Sequence, residues 1–373
     1  MSVPSVPLTD LTAQHRRLMP ELKSAFQEVI ESGRLILGHY VDRFEEQLAD
    51  ACDVKHAVGV SSGTDAITLA LLALDLPPRS HVVCPAFAYV HTAESITRAG
   101  HVPVFADIEA RSFNLDARSV EAAVTDQTAA ILCVNMYGLP CNFPALRQLA
   151  ERRNLRVIED ADMALGASVN GQPAGSFGDI ATLSFFPTKN LAACGDAGAC
   201  LTNDPALASR LEQLRVHGLD DGYTVREPGG AFRMDPLQAA LLSVKLPRLA
   251  EWVDARRAHA RRYQKLLEPL AVTTPDSAED FRHAYNLYTL RIRSGGREPL
   301  RHHLNAMNIG NRVYYPRPLH LQPLYAALGY EPGMLPVSEK AADEVLSIPM
   351  FAELTTDQQD LVVAGIRDYF TAD

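Results

Sequence analysis

The apolar positions along the chain alternate between a period near 3.6 and short continuous runs, and that alternation predicts the fold. Residues 20–31 set Leu22, Phe26, Val29 and Ile30 at helical spacing, with Gly33 beyond them as a stop. A short helix near 41–51 follows Gly38, with Phe44, Leu48 and Ala51 on one face. His56–Val60 reads as a strand, Ser61-Ser62-Gly63-Thr64 as a turn, and Asp65 to Leu76 as a helix apolar almost all round, hence buried. Strands at His81–Pro85, Val102–Ile108, Ala129–Tyr137 and Arg156–Asp160 then take turns with helices at His91–Ala99, Asp116–Val124 and Asn142 to about Arg153. Such alternation indicates a mostly parallel sheet with helices on both faces. Right-handed crossovers gather the strand C-termini on one edge, where ligands bind in such sheets.

Three features fall on that edge. The first is the stretch IATLSFFPTKNLAACGDAGAC, residues 180–200, in which Ile180–Phe186 reads as a buried strand that Pro187 stops. Lys189 follows in a turn, and Gly195 and Gly198 keep the next segment tight. The second is Asp160, the last residue of an apolar strand. The third is the small-residue turn Ser61–Thr64 at a helix start. An amine, an acid at a strand end and an anion cradle are the three groups that pyridoxal 5'-phosphate requires. Its phosphate takes backbone N–H groups at a helix start. Its ring nitrogen takes a carboxylate, and its aldehyde takes a lysine.

Further along, Ala199–Thr202 reads as a returning strand, and Asp204 caps a helix that Pro205 starts and that ends near His217-Gly218. Residues 219–232 have no periodicity and read as a long loop. Pro236–Leu270 is strongly helical with a bend expected at Pro247, and the domain boundary is placed near residue 245. Residues 1–245 then form a large cofactor-binding domain that includes the N-terminal helical segment, and 246–373 a smaller α+β domain. In the latter, Tyr285–Ile292 and Asn311–Tyr315 read as strands, and Thr355-x-x-Gln358 as a capping box before the last helix.

Composition narrows the class. The 373 residues are 47% hydrophobic and 21% charged, the balance of a globular chain with a sizeable core. A net charge of −10 and no basic run argue against a nucleic-acid surface. No apolar run approaches the roughly 20 residues of a membrane span, and the N-terminus lacks a signal-like segment. The six scattered cysteines show no metal-ligand spacing and read as reduced thiols of a cytoplasmic protein, Cys194 included. No metal site is expected. A dinucleotide-binding dehydrogenase would need G-x-G-x-x-G after the first strand, and the chain has none there.

The motifs together resemble one family, the DegT/DnrJ/EryC1/StrS aminotransferases, which are fold-type I enzymes that use pyridoxal phosphate. The resemblance runs nearly end to end, through SSGTDA (61–66), CPAFAYVHTAESI (84–96), VIEDADMALGA (157–167), SFFPTKNLAACGDAGA (184–199), FRMDPLQAA (232–240), YYPRPLHLQPLY (314–325) and VLSIPM (345–350). It implies Lys189 as the Schiff-base lysine and proton-moving base, and Asp160 as partner of the ring nitrogen. It implies Ser62, Gly63, Thr64 and Ser184 around the phosphate, Tyr89 on the ring face, and Tyr315 and His320 toward the substrate. Met163 stands where the family commonly has Gln or His against the cofactor's phenolic oxygen, and Ala231 where it commonly has an Asn that reaches the partner subunit. Asp162 is also unusual.

The implied activity is transamination, with an amino-acid donor, glutamate foremost, and a keto-sugar on a nucleotide diphosphate aminated at C3 or C4. The family also implies a homodimer with shared active sites. Keto-cyclitol or aminohydroxybenzoate-type precursors are alternative substrates, and a cofactor-binding protein without turnover is an alternative of another class. Members that dehydrate a deoxysugar carry histidine in place of the lysine, which this chain retains.

Overall fold

The computed structural model describes residues 5–220, 223–275, 278–293 and 295–371. Its centre is a seven-stranded sheet built from β1 (His56–Val60), β2 (His81–Pro85), β3 (Val102–Ala106), β4 (Thr128–Val134), β5 (Arg156–Asp160), β6 (Ile180–Ser184) and β7 (Gly198–Thr202). The spatial order is β1-β7-β6-β5-β4-β2-β3. All pairings from β3 to β6 are parallel, whereas β7 runs antiparallel to both β6 and β1. The α/β class and the mostly parallel sheet thus match the expectation from alternation. The reversal at β7 has a local cause: residues 185–197 contain no helix, and a parallel return needs a crossover.

Helix Gly63–Ala73 is the most enclosed, packing on β6 and β7 with Ala66, Ile67, Leu69, Ala70 and Leu71 all fully buried. Its Ser62 cap accepts a hydrogen bond from Asp65 N at 3.1 Å. The first helix starts earlier than the periodicity indicates, at Thr12, and keeps Pro20 inside. Gln14, Leu18 and Leu22 bury against helix Pro236–Lys245, and this packing overrides the proline. The bend expected at Pro247 is a 3-10 turn, Leu246–Arg248, between that helix and Leu249–Leu267.

Beyond residue 245 a separate core forms around Tyr263, Tyr288, Leu300, Leu346 and Ile366. It contains a two-stranded antiparallel sheet, β8 (Tyr288–Arg291) with β9 (Val345–Ile348). Asn311–Tyr315 is not a strand. It makes a single bridge, Arg312 to Ser347, because the Tyr137 hydroxyl takes the Tyr314 carbonyl and Pro316 and Pro318 supply no N–H. The capping box forms reciprocally, Thr355 N to Gln358 Oε1 at 3.0 Å and Gln358 N to Thr355 Oγ1 at 3.2 Å. Val6 belongs to this second core by packing and bridges Ile309, so the N-terminal residues cross from one core to the other. Among the described residues no helix is long and apolar enough to cross a membrane.

Candidate active site

The C-terminal edge of the sheet opens into a cavity of about 470 Å³ lined by Ser62, Gly63, Thr64, Tyr89, Met163, Ser184, Lys189 and Tyr315 among others. Strand ends and the turns after them deliver these side chains, which is why residues far apart in sequence converge. Asp160 lies just beneath, 1% exposed, at the end of β5.

Lys189 sits in a turn that is tied down on several sides. Its N–H donates to the Phe186 carbonyl at 2.8 Å, and the following Asn190 donates to Leu165 O and Ala284 O at 3.4 and 3.3 Å. The Lys189 side chain is 12% exposed and its Nζ lies 3.8 Å from Asp162 Oδ2. His91, at the start of helix His91–Arg98, bridges the two carboxylates. Its Nε2 is 3.4 Å from Asp160 Oδ2 and its Nδ1 is 4.0 Å from Asp162 Oδ2. Asp160 Oδ1 accepts from Asp162 N at 3.1 Å.

These four groups set one another's charge. Burial alone would lift the Asp160 carboxyl, but His91 and Lys189 outweigh it and hold it below the usual range. Burial opposes the His91 cation, yet Asp160 and Asp162 raise its pKa above the ordinary imidazole value. Asp162, buried beside an ionised Asp160, is pushed up to about 6. Next to them Glu159 is wholly buried and pushed up to about 7 by burial, against the pull of Gly175 N, Phe177 N and Asn135 Nδ2, which all donate to it.

The residues fit pyridoxal 5'-phosphate at three points. Asp160 Oδ2 is buried without a formed hydrogen bond, as a partner for a ring N–H must be. Gly63 leaves a cradle at the helix start that a Cβ would fill, since that atom would lie 2.5 Å from Asp162 Oδ2 and 2.6 Å from Ser184 Cβ. Lys189 presents the amine between them. Tyr89 is 49% exposed, edge-on to His91 at 5.1 Å and tilted against Tyr315 at 5.6 Å. The Met163 thioether lines the same cavity and offers no donor to a phenolic oxygen.

The chain belongs to the DegT/DnrJ/EryC1/StrS aminotransferase family. The family model matches residues 17–367. A protein of Geobacillus stearothermophilus named pleiotropic regulatory protein is 45% identical over 98% of this chain and 99% of its own. The UDP-N-acetyl-3-dehydro-alpha-D-glucosamine 3-aminotransferase of Acidithiobacillus ferrooxidans is 38% identical, covering 97% of each chain. Streptomyces venezuelae DesV, solved in complex with a ketimine intermediate, superposes with a TM-score of 0.95 at 38% identity and 99% coverage of both chains. The chain is accordingly a pyridoxal-phosphate-dependent aminotransferase of the fold-type I class.

His320 is not brought into this cavity. Its ring is buried, with Nε2 3.2 Å from Glu339 Oε1 and the ring edge-on to Tyr330, where it secures the 319–321 turn. Ala231 is exposed and bridges Val216. His91 and Asn286 are among the cavity residues that escaped the reading of the residues. His91 reads only as a helix start, although a histidine opening a helix on the ligand edge was the available signal. Asn286 belongs to the second core's segment yet donates to Thr188 O beside Lys189.

Proposed function

We propose that this aminotransferase moves an amino group from glutamate to a keto-sugar carried on a nucleotide diphosphate, at C3. The observation that carries the reading is the placement of Lys189 Nζ, 3.8 Å from Asp162 in a cavity of about 470 Å³ that Tyr89, Thr64 and Ser184 also line. The cavity mouth supports a nucleotide-linked acceptor, since Arg312 offers an exposed guanidinium 5.6 Å from the Tyr314 ring centroid, next to Tyr315. The relative from A. ferrooxidans is named for a UDP-linked 3-dehydro sugar, and this agrees with C3.

When bound, pyridoxal 5'-phosphate supplies the electron sink and the carbon that carries nitrogen from donor to acceptor. Lys189 holds and returns a proton at Nζ. Asp160, kept ionised by His91 and Lys189, would pair with the ring nitrogen. The N–H groups at Gly63 and Thr64, with the Ser62 and Ser184 hydroxyls, would hold the phosphate. Tyr89 would lie against the ring.

We also assign a homodimer and a cytoplasmic setting. Phe26, Ile30, Leu35, Ile36 and Phe186 are large apolar side chains left exposed, Phe186 at the cavity itself. All six cysteines are free and five are buried, which suits a reducing compartment. The division at residue 245 belongs to the same proposal. Sedimentation at micromolar concentration is expected to give twice the mass of one chain.

The test uses the purified protein with cofactor, glutamate and UDP- or dTDP-linked 3-keto sugars, with Lys189→Ala alongside. Formation of 2-oxoglutarate together with an amino sugar, absent in the variant, is expected. A cofactor absorbance band that depends on Lys189 but that no amino donor bleaches would instead favour binding without turnover. Met163 and Ala231 motivate that second reading.

A further inference from the structure

The Asp162 carboxylate faces the same point as the phosphate cradle. A Cβ at Gly63 would meet Asp162 Oδ2 at 2.5 Å, Ser184 Cβ at 2.6 Å and Ser184 Oγ at 3.1 Å. The helix that starts there, Gly63–Ala73, presents its unpaired N–H groups to this corner. Asp162 is 4% exposed, and neither of its carboxylate oxygens has a hydrogen bond among the described residues. A buried acid, held only by the longer ion contacts to Lys189 and His91, thus stands where a phosphate dianion must come. We propose that Asp162 tunes cofactor selection in this site: its ionised carboxylate opposes the phosphate at the helix start, and seating the phosphate requires Asp162 to take up a proton from solvent. This inference rests on the aminotransferase reading above and adds a residue that controls cofactor entry.

The groups facing Asp162 decide its charge. Asp160 comes from β5, His91 from helix His91–Arg98, Lys189 from its turn, and the Cys200 thiol from β7. Asp196, Arg312, Tyr89 and Tyr315 line the same cavity. His91 is 3.4 Å from Asp160 and 4.0 Å from Asp162, so its charge is spent first on Asp160. Lys189, at 3.8 Å, is the remaining counter-ion, and it is the amine that the cofactor engages. Burial, and after it the ionised Asp160 alongside, push the Asp162 carboxyl up to about 6, so it takes a proton readily. Neutral Asp162 can donate its O–H to an anion instead of repelling it.

The experiment measures equilibrium binding to cofactor-free protein at pH 8 and pH 5, in wild type, Asp162→Asn and Asp162→Ala. The probes are pyridoxal 5'-phosphate, pyridoxal, and inorganic phosphate as competitor. Comparing variant with wild type at each pH removes the ligand's own titration. At pH 8 both variants are expected to bind pyridoxal 5'-phosphate at least tenfold more tightly than wild type. At pH 5 the three proteins should agree within about twofold. Inorganic phosphate should follow the same pattern, and pyridoxal should differ by less than twofold at either pH. Equal or weaker binding of pyridoxal 5'-phosphate by both variants at pH 8 overturns the proposal, as does an equal gain for pyridoxal. Should wild type and variants alike fail to bind the cofactor at either pH while keeping native circular dichroism, the aminotransferase reading itself falls, and this inference with it.

Discussion

Asn286 Nδ2 donates to the Thr188 carbonyl at 2.9 Å and to Asn190 Oδ1 at 3.3 Å, so a buried residue from beyond the bend at Pro247 fixes the turn that carries Lys189. The Lys189 amine is therefore held by residues from before and after the bend at Pro247. Replacing Asn286 by Ala removes both bonds and leaves the Thr188 carbonyl without this partner. The expected cost is about 1–2 kcal/mol of stability and about a tenfold to hundredfold loss of kcat through misplacement of Nζ. Steady-state kinetics together with thermal melting separate the two effects. An unchanged kcat in a folded variant would show that the turn positions itself.

Lys189→Ala removes the group proposed to move the proton at Nζ. Turnover should fall by about a thousandfold or more, while the fold persists because the turn is held by its backbone and by Asn190. Added methylamine, a small primary amine that fits the vacated space, is expected to restore a measurable fraction. Single-turnover absorbance with glutamate reads both outcomes.

Asp162 gives a stability signature separate from its proposed role in cofactor selection. Its carboxyl is raised from an ordinary 3.8 to about 6, so the folded protein holds this proton at pH values where the unfolded chain has released it. The stabilisation from neutral Asp162 is complete below about pH 4 and is lost as pH rises through about 6. Asp162→Asn should therefore stabilise the cofactor-free protein by about 2–3 kcal/mol at pH 8 and by little near pH 4. Urea unfolding at the two pH values checks both the size and the sign.

Glu45 and Arg215 test a structural pair that does not line the cavity. Arg215 Nη1 lies 2.5 Å from Glu45 Oε1 and 3.2 Å from Gly59 O, and Gly59 N donates to Glu45 Oε1 at 2.6 Å, so the pair clamps the edge strand β1. Burial raises the Glu45 carboxyl even against its partner's charge. Arg215→Met leaves a buried carboxylate alone and should cost about 3–5 kcal/mol. The double variant Glu45→Gln/Arg215→Met should recover much of that loss. A double-mutant cycle by chemical denaturation measures the difference.

The sheet was legible because its strands are short apolar runs bounded by turn residues. β1, β2 and β5 have the bounds that the pattern sets, and Asp160 and Lys189 stand where strand ends put them. The cluster around them was less so. His91 and Asp162 lie 71 positions apart in the chain, and only the parallel order β2-β4-β5 and the packing of helix His91–Arg98 bring them together. Beyond residue 245 the short elements gave weaker signals. Val345–Ile348 pairs as a strand only because Tyr288–Arg291 lies beside it, whereas Asn311–Tyr315 has strand composition but finds its carbonyl at Tyr314 already taken. His320 sits in a segment that resembles the family's, yet Glu339 draws its ring inward.

The reversed strand β7 has a dynamic consequence. Ser184 and Gly198 face each other in the β6–β7 register, and Phe185 N donates to Ala197 O at 2.8 Å, so the segment carrying Lys189 is closed at its base like a drawstring. Gly198 permits this closure because a Cβ there would strike Ser62 C and O at 2.4 Å. Opening the Lys189 turn thus means unzipping two interior strands rather than loosening a surface loop. Amide hydrogens at Phe185, Lys189 and Ala193 should exchange with solvent at rates close to those of global unfolding, an unusual rigidity for a catalytic loop.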